Sequence, residues 1–341
     1  MTAKKFSPYF ILILTFIMFG YVIPVNAMTI TPVRYEIQGD PGQNLSEDIT
    51  IINEEEVSVT YYSSFANFEA QGETGSATFV DPVEDIGTWM QTEQSVTLLP
   101  GEQKTVSFTI KIPENAEPGG HFGVIFWGTS PENSADGKQL AVSAKTGLLV
   151  LLSVSGDVKE EGGVLDFLKK DNKFWYNSLP VSFTYRFKND GGDRIKPKGF
   201  IKISNTLFIP TKKLDANPVN GNILPNSTRK FTVDWVKYVE PTDKIMPNGV
   251  VKKFFDRAIY QWKNFAFGLY GAKLDITYGI QEQQVERKVF FFVFPWQLLV
   301  CLILIFIIVF FTGKKLIKRY NKYIIQQAHS TVKMPEDGNH V

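Results

Sequence analysis

The side chains that could carry out chemistry are few in this sequence, and they are far apart. His121, in the run GGHFG, is followed by no second histidine until His329, and the single cysteine is Cys301. A histidine-rich zinc site needs several ligands, and nucleophilic catalysis needs a base beside the nucleophile; a GxSxG turn is also absent from the sequence. We therefore expect His121 to lie in a loop and to make a backbone hydrogen bond. We predict no catalytic residue, no metal site, no cofactor and no enzyme activity.

The acidic loop DPVED, with Asp81, Glu84 and Asp85, is a second place where chemistry could occur. We favour a solvated loop, and two alternatives remain: a calcium site built from carboxylate oxygens, or a pair of catalytic acids. The EF-hand spacing of calcium ligands is absent. A glycosidase needs two acids that face one cleft at a set separation, which a sequence does not give.

An uncharged run, PWQLLVCLILIFIIVFFT at residues 295–312, predicts where the chain is anchored. As a helix it would span about 27 Å, close to the thickness of a hydrocarbon core. A tryptophan at one end suits the outer interface, and the basic cluster that follows the run suits the cytoplasmic side. A buried core helix is the alternative. The predicted anchoring residues are Trp296, Lys314, Lys315, Lys318 and Arg319.

A second apolar run, at residues 9–23, has the layout of a secretory signal peptide. Lys4 and Lys5 precede it, and the small-residue cleavage site VNA ends at Ala27. We predict that residues 1–27 are removed; a retained signal anchor is the alternative. Both interpretations place residues 28–294 outside the cytoplasm. We therefore expect a single-pass protein of the cell membrane with a cytoplasmic tail at residues 313–341.

Charge is divided unevenly within the external region. Residues 28–157 contain 5 Lys and Arg against 19 Asp and Glu, a net charge of −14, whereas residues 158–294 contain 23 against 14, a net charge of +9. Such a division reports on surroundings and partners rather than on fold. The basic half is next to the anchor, so we expect membrane lipid as a partner, and no nucleic acid. The acidic half reflects either a partner or solubility alone.

Short runs of alternating apolar residues, separated by turn residues, predict strands on both sides of a linker at residues 156–163. Seven or eight such runs in the first half are typical of an antiparallel sandwich; residues 31–37 are predicted as one strand, and Val106, Phe108 and Ile110 are predicted to point inward from another. The last run of the second half ends at Phe294 and leads directly into the apolar run. We predict an all-β protein with two tandem immunoglobulin- or fibronectin-III-like sandwiches, residues 28–157 and 158–294, followed by a transmembrane helix.

An amphipathic helix pattern interrupts the second half at about residues 249–267, where apolar residues recur at steps of three and four. The ordinary interpretation is a helix packed on the sandwich. The alternative is an interfacial helix, which inserts aromatic rings into the outer leaflet and places basic residues at the headgroups. The residues that would serve this second role are Phe254, Phe255, Trp262, Lys252 and Lys253.

Two stretches support a comparison with known families. The first is LLPGEQKTVSFTIKIPENAEPGGHFGVIFWG, residues 98–128, together with the opening TPVRYEIQGDPGQ and the turn INEEE. It resembles the N-terminal immunoglobulin-like domain of the WxL-interacting cell-surface proteins and, more loosely, bacterial sandwiches of the fibronectin-III and pilus-chaperone type. The second, PVSFTYRFKNDGGDRIKPKGFIKI, resembles extracytoplasmic domains of the fibronectin-III kind. The loop motif of the first stretch consists of Pro113, Pro118, Gly119, Gly120 and His121.

The first resemblance implies an immunoglobulin-like fold and binding to peptidoglycan. We therefore predict a bacterial envelope protein that binds or scaffolds cell-wall polymer or surface proteins. The alternative is a chaperone-like assembly factor, in which an unpaired strand edge holds a secreted partner subunit. An envelope hydrolase is disfavoured because the sequence lacks a recognisable catalytic set.

Overall fold

The computed structural model describes residues 28–130, 145–207, 209–241 and 248–331. The predicted signal peptide and residues 332–341 of the predicted tail lie outside these ranges. The chain forms two compact units. Within the described ranges, the first unit comprises residues 28–161, 189–194 and 224–227, and the second comprises residues 162–188, 195–223 and 228–331.

The described part of the first unit contains ten strands, most of which coincide with the predicted alternating runs. A helical turn, α1 (Ile86–Trp89), precedes the sixth. In chain order the strands are β1 (Met28–Thr31), β2 (Arg34–Gly39), β3 (Asn44–Asn53), β4 (Val59–Gln71), β5 (Ser76–Val80), β6 (Met90–Thr92), β7 (Ser95–Leu98), β8 (Gln103–Lys111), β9 (Gly119–Gly128) and β10 (Lys145–Val154).

These strands form two sheets in an immunoglobulin-type order. One sheet has the order β1-β3-β8-β6, and the other has the order β2-β10-β9-β4-β5, with β7 also paired to β4. β1-β3-β8-β6 corresponds to the A-B-E-D sheet of an immunoglobulin domain, and β10-β9-β4-β5 corresponds to G-F-C-C′, with β2 added beside β10. The run at residues 31–37 was expected to be one strand, but it divides between the sheets. Pro32 has no N–H to continue the β1 ladder, and β2 pairs in parallel with β10.

The core of the first unit lies between its two sheets. Val106, Phe108 and Ile110 of β8 are at most 1% exposed, as the alternating pattern predicted. Trp127 and Leu152 of the facing sheet are fully buried. Because successive side chains of a strand point to opposite faces, alternation in the sequence is enough to build this core.

The second unit has a similar sheet plan in its described strands, with one strand fewer in each sheet. Its sheets have the orders β11-β13-β16 and β12-β18-β17-β14-β15, and β12 pairs in parallel with β18 as β2 does with β10. The strands are β11 (Gly162–Lys169), β12 (Trp175–Tyr176), β13 (Val181–Asn189), β14 (Lys198–Asn205), β15 (Pro210–Asp215), β16 (Ser227–Trp235), β17 (Gly268–Tyr278) and β18 (Gln283–Val293).

Aromatic side chains dominate the core of the second unit. Tyr185, Trp235 and Phe291 are at most 1% exposed. Tyr270 stacks on Phe291 with 5.7 Å between ring centroids, and Trp235 meets Tyr270 edge-on at 5.1 Å. Cys301 is the only cysteine in the sequence and is free, so neither unit contains a disulfide bond. Burial holds this unit together, and each such side chain contributes about 1.5–3 kcal/mol relative to an exposed one.

Two longer helices complete the second unit. α2 (Val250–Lys263) lies within the predicted insertion at about 249–267. α3 (Trp296–Thr331) follows shortly after β18 and has 36 residues, so it continues well past the predicted end at residue 312. At 1.5 Å per residue it is about 54 Å long, which exceeds a hydrocarbon core of about 30 Å. The basic cluster after the apolar run therefore continues the same helix.

Candidate functional site

The family loop motif leads into β9. Pro113 and Pro118 lie in the connection from β8, and Gly119, Gly120 and His121 begin the strand. His121 is thus a strand residue, not the loop residue that was expected. The expected backbone hydrogen bond is present, with Nε2 of His121 at 2.8 Å from the carbonyl oxygen of Glu117.

The other ring nitrogen of His121 contacts a carboxylate. Nδ1 lies 2.5 Å from Oδ1 of Asp85, and the indole of Trp89 packs on the imidazole with 4.7 Å between ring centroids. Burial lowers the pKa of His121, but the hydrogen bonds to Asp85 and to the Glu117 carbonyl outweigh burial and raise that pKa above its ordinary value. Both nitrogens face acceptors, so only the imidazolium donates to both. In this state His121 has no free nitrogen for general-base catalysis.

Asp85 also fixes the start of α1. Its side chain accepts a hydrogen bond from the Ile86 N–H at 2.7 Å, and its φ is 70°. Asp81 and Glu84 of the same loop are exposed, in agreement with a solvated loop. Within the described ranges, no group of three or more His, Cys, Asp and Glu side chains is placed to hold a metal ion. Local spacing gave no signal for the contact between Asp85 and His121, which are 36 residues apart.

α3 is long and apolar enough to cross a membrane, and it is the one described helix of which this is true. Its mean hydropathy reaches 2.6, and only 11% of its most apolar stretch is buried within the protein. Phe306 is 69% exposed, and apolar side chains are exposed on every side of the helix. Trp296 is exposed at its start. Past the apolar run, the four basic residues predicted to mark the cytoplasmic side are exposed as well: Lys314, Lys315, Lys318 and Arg319.

α2 packs against the first turn of α3 through polar side chains. Gln261, which is 3% exposed, accepts a hydrogen bond from the Leu298 N–H at 2.9 Å and donates one to Oε1 of the buried Gln297. Backbone N–H groups in the first turn of a helix have no partner within that helix. Gln261 therefore caps α3. Phe254 lies on the same side of α2, with its ring centroid 5.7 Å from that of Trp296.

Apolar side chains of α2 point away from the protein. Val251, Phe255, Ile259 and Trp262 are 68%, 52%, 57% and 64% exposed. They follow one another at steps of four, four and three residues, so they form one row along the helix, here termed the α2 stripe. In a helix packed on a soluble domain, the apolar side faces the core and the polar side faces water. In α2 this arrangement is reversed, because Gln261 is buried and the rings of Phe255 and Trp262 are exposed.

The predicted interfacial residues of α2 therefore separate into three positions. Phe254 is packed against α3, Phe255 and Trp262 belong to the α2 stripe, and Lys252 and Lys253 are exposed. One face of the helix packs against the first turn of α3, and packing on the sandwich, which the ordinary interpretation expected, stays a prediction. The α2 stripe is not covered by any part of the described protein.

The edges of the sheets differ in how they are protected against pairing with another chain. Natural edge strands carry charge or proline, contain a bulge, or are short. β15 contains Pro210 and two lysines, and its pairing with β14 shifts register. β2 carries an ion pair between Arg34 and Glu36 at 3.1 Å. Charged side chains occur in β11 and β16, and β1, β6, β7 and β12 have four residues or fewer.

β5 is the described edge strand that has none of these features. Its sequence is SATFV, and it pairs in register with β4 on one side only. The Phe79 ring packs against Phe126 at 5.0 Å and Phe68 at 6.4 Å between centroids. Phe79 is still 47% exposed and Val80 is 38% exposed. β5 is thus a strand whose residues are exposed except for the half-buried Ala77, and it presents a partly apolar, uncharged edge.

Comparison with known proteins gives structural likenesses only. No family model matches the chain, and no curated protein sequence matches it. The class 5 fimbrial chaperone CfaA is similar over 77% of this chain and 98% of its own, with TM-score 0.37 and 14% identity. The E. coli chaperone DraB is similar over 77% of this chain and 97% of its own, with TM-score 0.33 and 11% identity. The Acinetobacter baumannii CsuC–CsuE chaperone–tip adhesion subunit complex is similar over 76% of this chain and 97% of the matched chain, with TM-score 0.34 and 10% identity.

TM-scores below 0.5 carry no argument about function, so the function of this chain has to be inferred from its own residues. Its fold is mostly β, with sheets in a sandwich-like arrangement and one apolar helix that could span a membrane.

Proposed function

We propose that this chain is a single-span envelope protein without enzyme activity, and that its first unit binds a protein partner by adding an extended partner segment to β5. The chain would present two tandem immunoglobulin-like sandwiches, a proposal supported by the sheet plan that the two units share. This function unites the predicted surface-binding role with the chaperone-like alternative, because strand-edge contacts are one means by which such a domain binds a surface protein.

The observation that carries the proposal is the contrast between β5 and the other edges. An unprotected edge presents unpaired backbone N–H and C=O groups, and such edges aggregate unless a function retains them. Strand addition uses those groups for affinity and uses side-chain contacts on alternate residues for specificity. On one face of β5, Phe79 joins Phe68 and Phe126, so an added strand would extend an existing aromatic cluster.

The charges around β5 indicate the chemistry of the partner. Glu69 lies opposite Thr78 in the neighbouring strand, and Asp81 and Glu84 follow β5; all three acidic residues are exposed. A partner segment with alternating apolar residues and basic flanks would complement this edge. The net charge of −14 over residues 28–157 favours the same partner.

The location follows from the charges that flank the apolar part of α3. Lys and Arg on one side of a span favour the cytoplasmic side for that end. We therefore place residues 28–294 outside the cytoplasm and the basic end of α3 within it.

Binding to cell-wall polymer stays a prediction. Stacking on sugar rings would require exposed aromatic rings, and in the first unit Trp127 is fully buried while Trp89 packs on His121. No feature of the described first unit favours a polymer over a protein segment.

The experiment compares two exposed threonines on two different edges in the full-length chain. Thr78→Lys places a charge on β5, whereas Thr211→Lys places the same charge on the already charged β15. A photo-crosslinking residue at Phe79 identifies what lies beside β5 in native membranes. We expect a crosslinked protein partner that co-purifies with the T211K chain and is lost from the T78K chain. A partner retained by T78K, or the absence of any crosslink at Phe79, would contradict the proposal.

A further inference from the structure

We propose that the second unit is seated in the lipid headgroup layer, with the α2 stripe and a band of aromatic residues at and beside the α3 end of β18 inserted into the leaflet where α3 begins. This inference rests on the proposed anchoring by α3. It adds that the folded unit itself binds lipid, in addition to the helix that follows it.

The outward face of β18 changes character along the strand. Glu286 and Lys288 are exposed and charged, whereas Phe290, Phe292 and Phe294, at the next alternate positions toward α3, are aromatic and exposed or half-exposed. The residues between them, such as Phe291, are buried in the core. The aromatic residues are therefore additional to the core, and they occupy the end of the strand nearest the apolar helix.

The neighbouring strand β17 changes character at the same level. Lys273 lies opposite Lys288, Gly271 lies opposite Phe290, and Leu269 lies opposite Phe292. Because antiparallel partners lie side by side, the step from charged to apolar residues forms one line across both strands. A boundary between water and lipid would favour charged residues on one side of this line and apolar residues on the other.

Further aromatic rings extend this band sideways. Trp175 of β12 is 63% exposed, and its ring lies 4.7 Å from that of Phe292. Phe267 is 50% exposed and contacts the rings of Phe292 and Phe294 at 6.5 and 6.1 Å between centroids. Phe290, Phe292, Phe294, Phe267 and Trp175 are together termed the aromatic band.

The helix that carries the α2 stripe and the aromatic band both adjoin the start of α3. Phe254 packs on Trp296, and the Trp296 N–H donates to the Phe294 carbonyl at 2.9 Å. Between Leu302 and Phe311 the exposed side chains of α3 are apolar on every side, so lipid is the surrounding that is continuous with both surfaces. Aromatic residues are enriched at the membrane interface, where an amphipathic helix also lies in the plane of the headgroups.

The charges of α2 agree with this placement. Its apolar stripe lies between the face packed on α3 and a face that carries exposed basic residues. By helix geometry, Lys253 points about 160° away from Phe255. Stripe residues would enter the leaflet by about 5–10 Å while Lys253 stays on the water side of the helix.

The test uses environment-sensitive fluorescent labels on single cysteines in the full-length chain with Cys301→Ser. The chain is placed, one copy per disc, in nanodiscs of phosphatidylcholine and phosphatidylglycerol, with or without spin-labelled lipid that quenches the label. Two comparisons are made, and a fifth position serves as a reference. Phe255→Cys is compared with Lys253→Cys on α2, Phe290→Cys is compared with Lys288→Cys on β18, and Ile305→Cys marks the interior of the proposed span.

We expect lipid quenching at positions 255, 290 and 305, and little at positions 253 and 288, which face water. The two β18 positions are only about 7 Å apart, so opposite results there would locate the boundary closely. Lipid spin-labelled near the headgroup should quench position 255 more than position 305, and lipid labelled deep in the chain should do the reverse.

The remaining outcomes separate the failure of this inference from the failure of the anchor. Quenching at 305 without quenching at 255 and 290 would overturn the seating of the unit and leave the anchor intact. No quenching at 305 would overturn the anchoring, and with it the inference. If the stripe becomes shielded only in vesicles with many copies per area, a second copy covers it and the lipid assignment is wrong. Equal quenching at 253 and 255 would also count against an ordered interfacial helix.

Discussion

Oδ1 of Asp85 lies 2.5 Å from Nδ1 of His121, and the Glu117 carbonyl faces the other ring nitrogen. The imidazolium satisfies both oxygens, whereas the neutral ring satisfies one. The pKa of His121 in the folded protein is raised above its usual 6.5. Its contribution to stability is therefore fully present below about pH 6.5 and is lost as the pH rises through the raised folded pKa.

The first prediction is a downward step in the free energy of unfolding of the first unit across that pH window. The pKa itself can be followed by NMR of ring-labelled histidine in the full-length protein. Asp85→Asn keeps an oxygen that can accept from Ile86 but removes the charge beside His121. We expect it to lower the pKa of His121 and to destabilise the unit by about 1 kcal/mol at mildly acidic pH. An unchanged His121 titration in this variant would show that the contact is not an ion pair in solution.

A second prediction concerns Asn53, which is fully buried. Its Nδ2 donates to the carbonyl oxygens of Val57, Leu98 and Leu99 at 2.9, 3.1 and 3.1 Å. Its Oδ1 accepts from the Tyr61 hydroxyl at 2.9 Å. Asn53→Asp is isosteric, yet it would turn a carboxylate oxygen toward three carbonyl oxygens. We expect a loss of about 3 kcal/mol or more at neutral pH.

Urea unfolding, followed by tryptophan fluorescence, measures this loss. Asn44→Asp is the matched control, because Asn44 is an exposed residue of the same strand. The control should change stability by no more than about 0.5 kcal/mol. Similar losses in the two variants would mean that added negative charge, rather than the buried hydrogen bonds, determines the effect.

A third prediction concerns Gly199 in β14, whose φ is +145°. A Cβ atom there would collide with the backbone carbonyl oxygen of Asp275 in β17, and backbone cannot move aside as a flexible side chain can. Gly199→Ala should destabilise the second unit by roughly 2–4 kcal/mol. Gly163→Ala is the control, since its Cβ would meet nothing within 4 Å and its φ is not in the left-handed region. Thermal unfolding of both variants measures this difference. Equal unfolding midpoints would contradict the predicted collision at Gly199.

A fourth prediction concerns the cap on α3. Gln261→Ala removes the acceptor of the Leu298 N–H and the donor to Gln297. Leaving a buried N–H unsatisfied costs about 1–3 kcal/mol, and this cost falls on the junction of the two helices. We expect faster hydrogen exchange at Leu298 and along α2, with unchanged exchange in β17 and β18. Lys253→Ala, on the exposed side of α2, should leave exchange at Leu298 as it is.

Loss of protection throughout the second unit in Gln261→Ala would contradict a local cap. It would mean that α2 is part of the core of the sandwich and cannot be released alone.

The parts of the fold that were predictable depend on neighbours in the sequence. The inward residues Val106, Phe108 and Ile110 could be identified because strand alternation is a property of consecutive residues. The division of residues 31–37 between two sheets was missed. The effect of Pro32 depends on which ladder would need its missing N–H, and that ladder is formed by residues far away in the chain.

The candidate sites show the same limit more strongly. The amphipathic period of α2 was visible, but the direction of its apolar side was not. That direction is decided by the burial of Gln261 against Gln297, which is 36 residues distant. The unprotected character of β5 also depends on knowing that it ends a sheet, which the five residues SATFV do not reveal.

By itself, the sequence determined the β-rich composition, the division of charge and the apolar run that α3 contains, because these depend only on residue types and on their local order. The tertiary structure decided which polar side chains are buried, which aromatic rings remain outside the core and which strand lies at an edge. These properties arise from contacts between distant segments, so no local pattern contains them. The positions of Gln261, Phe290 and Thr78 became informative only when their neighbours in space were known.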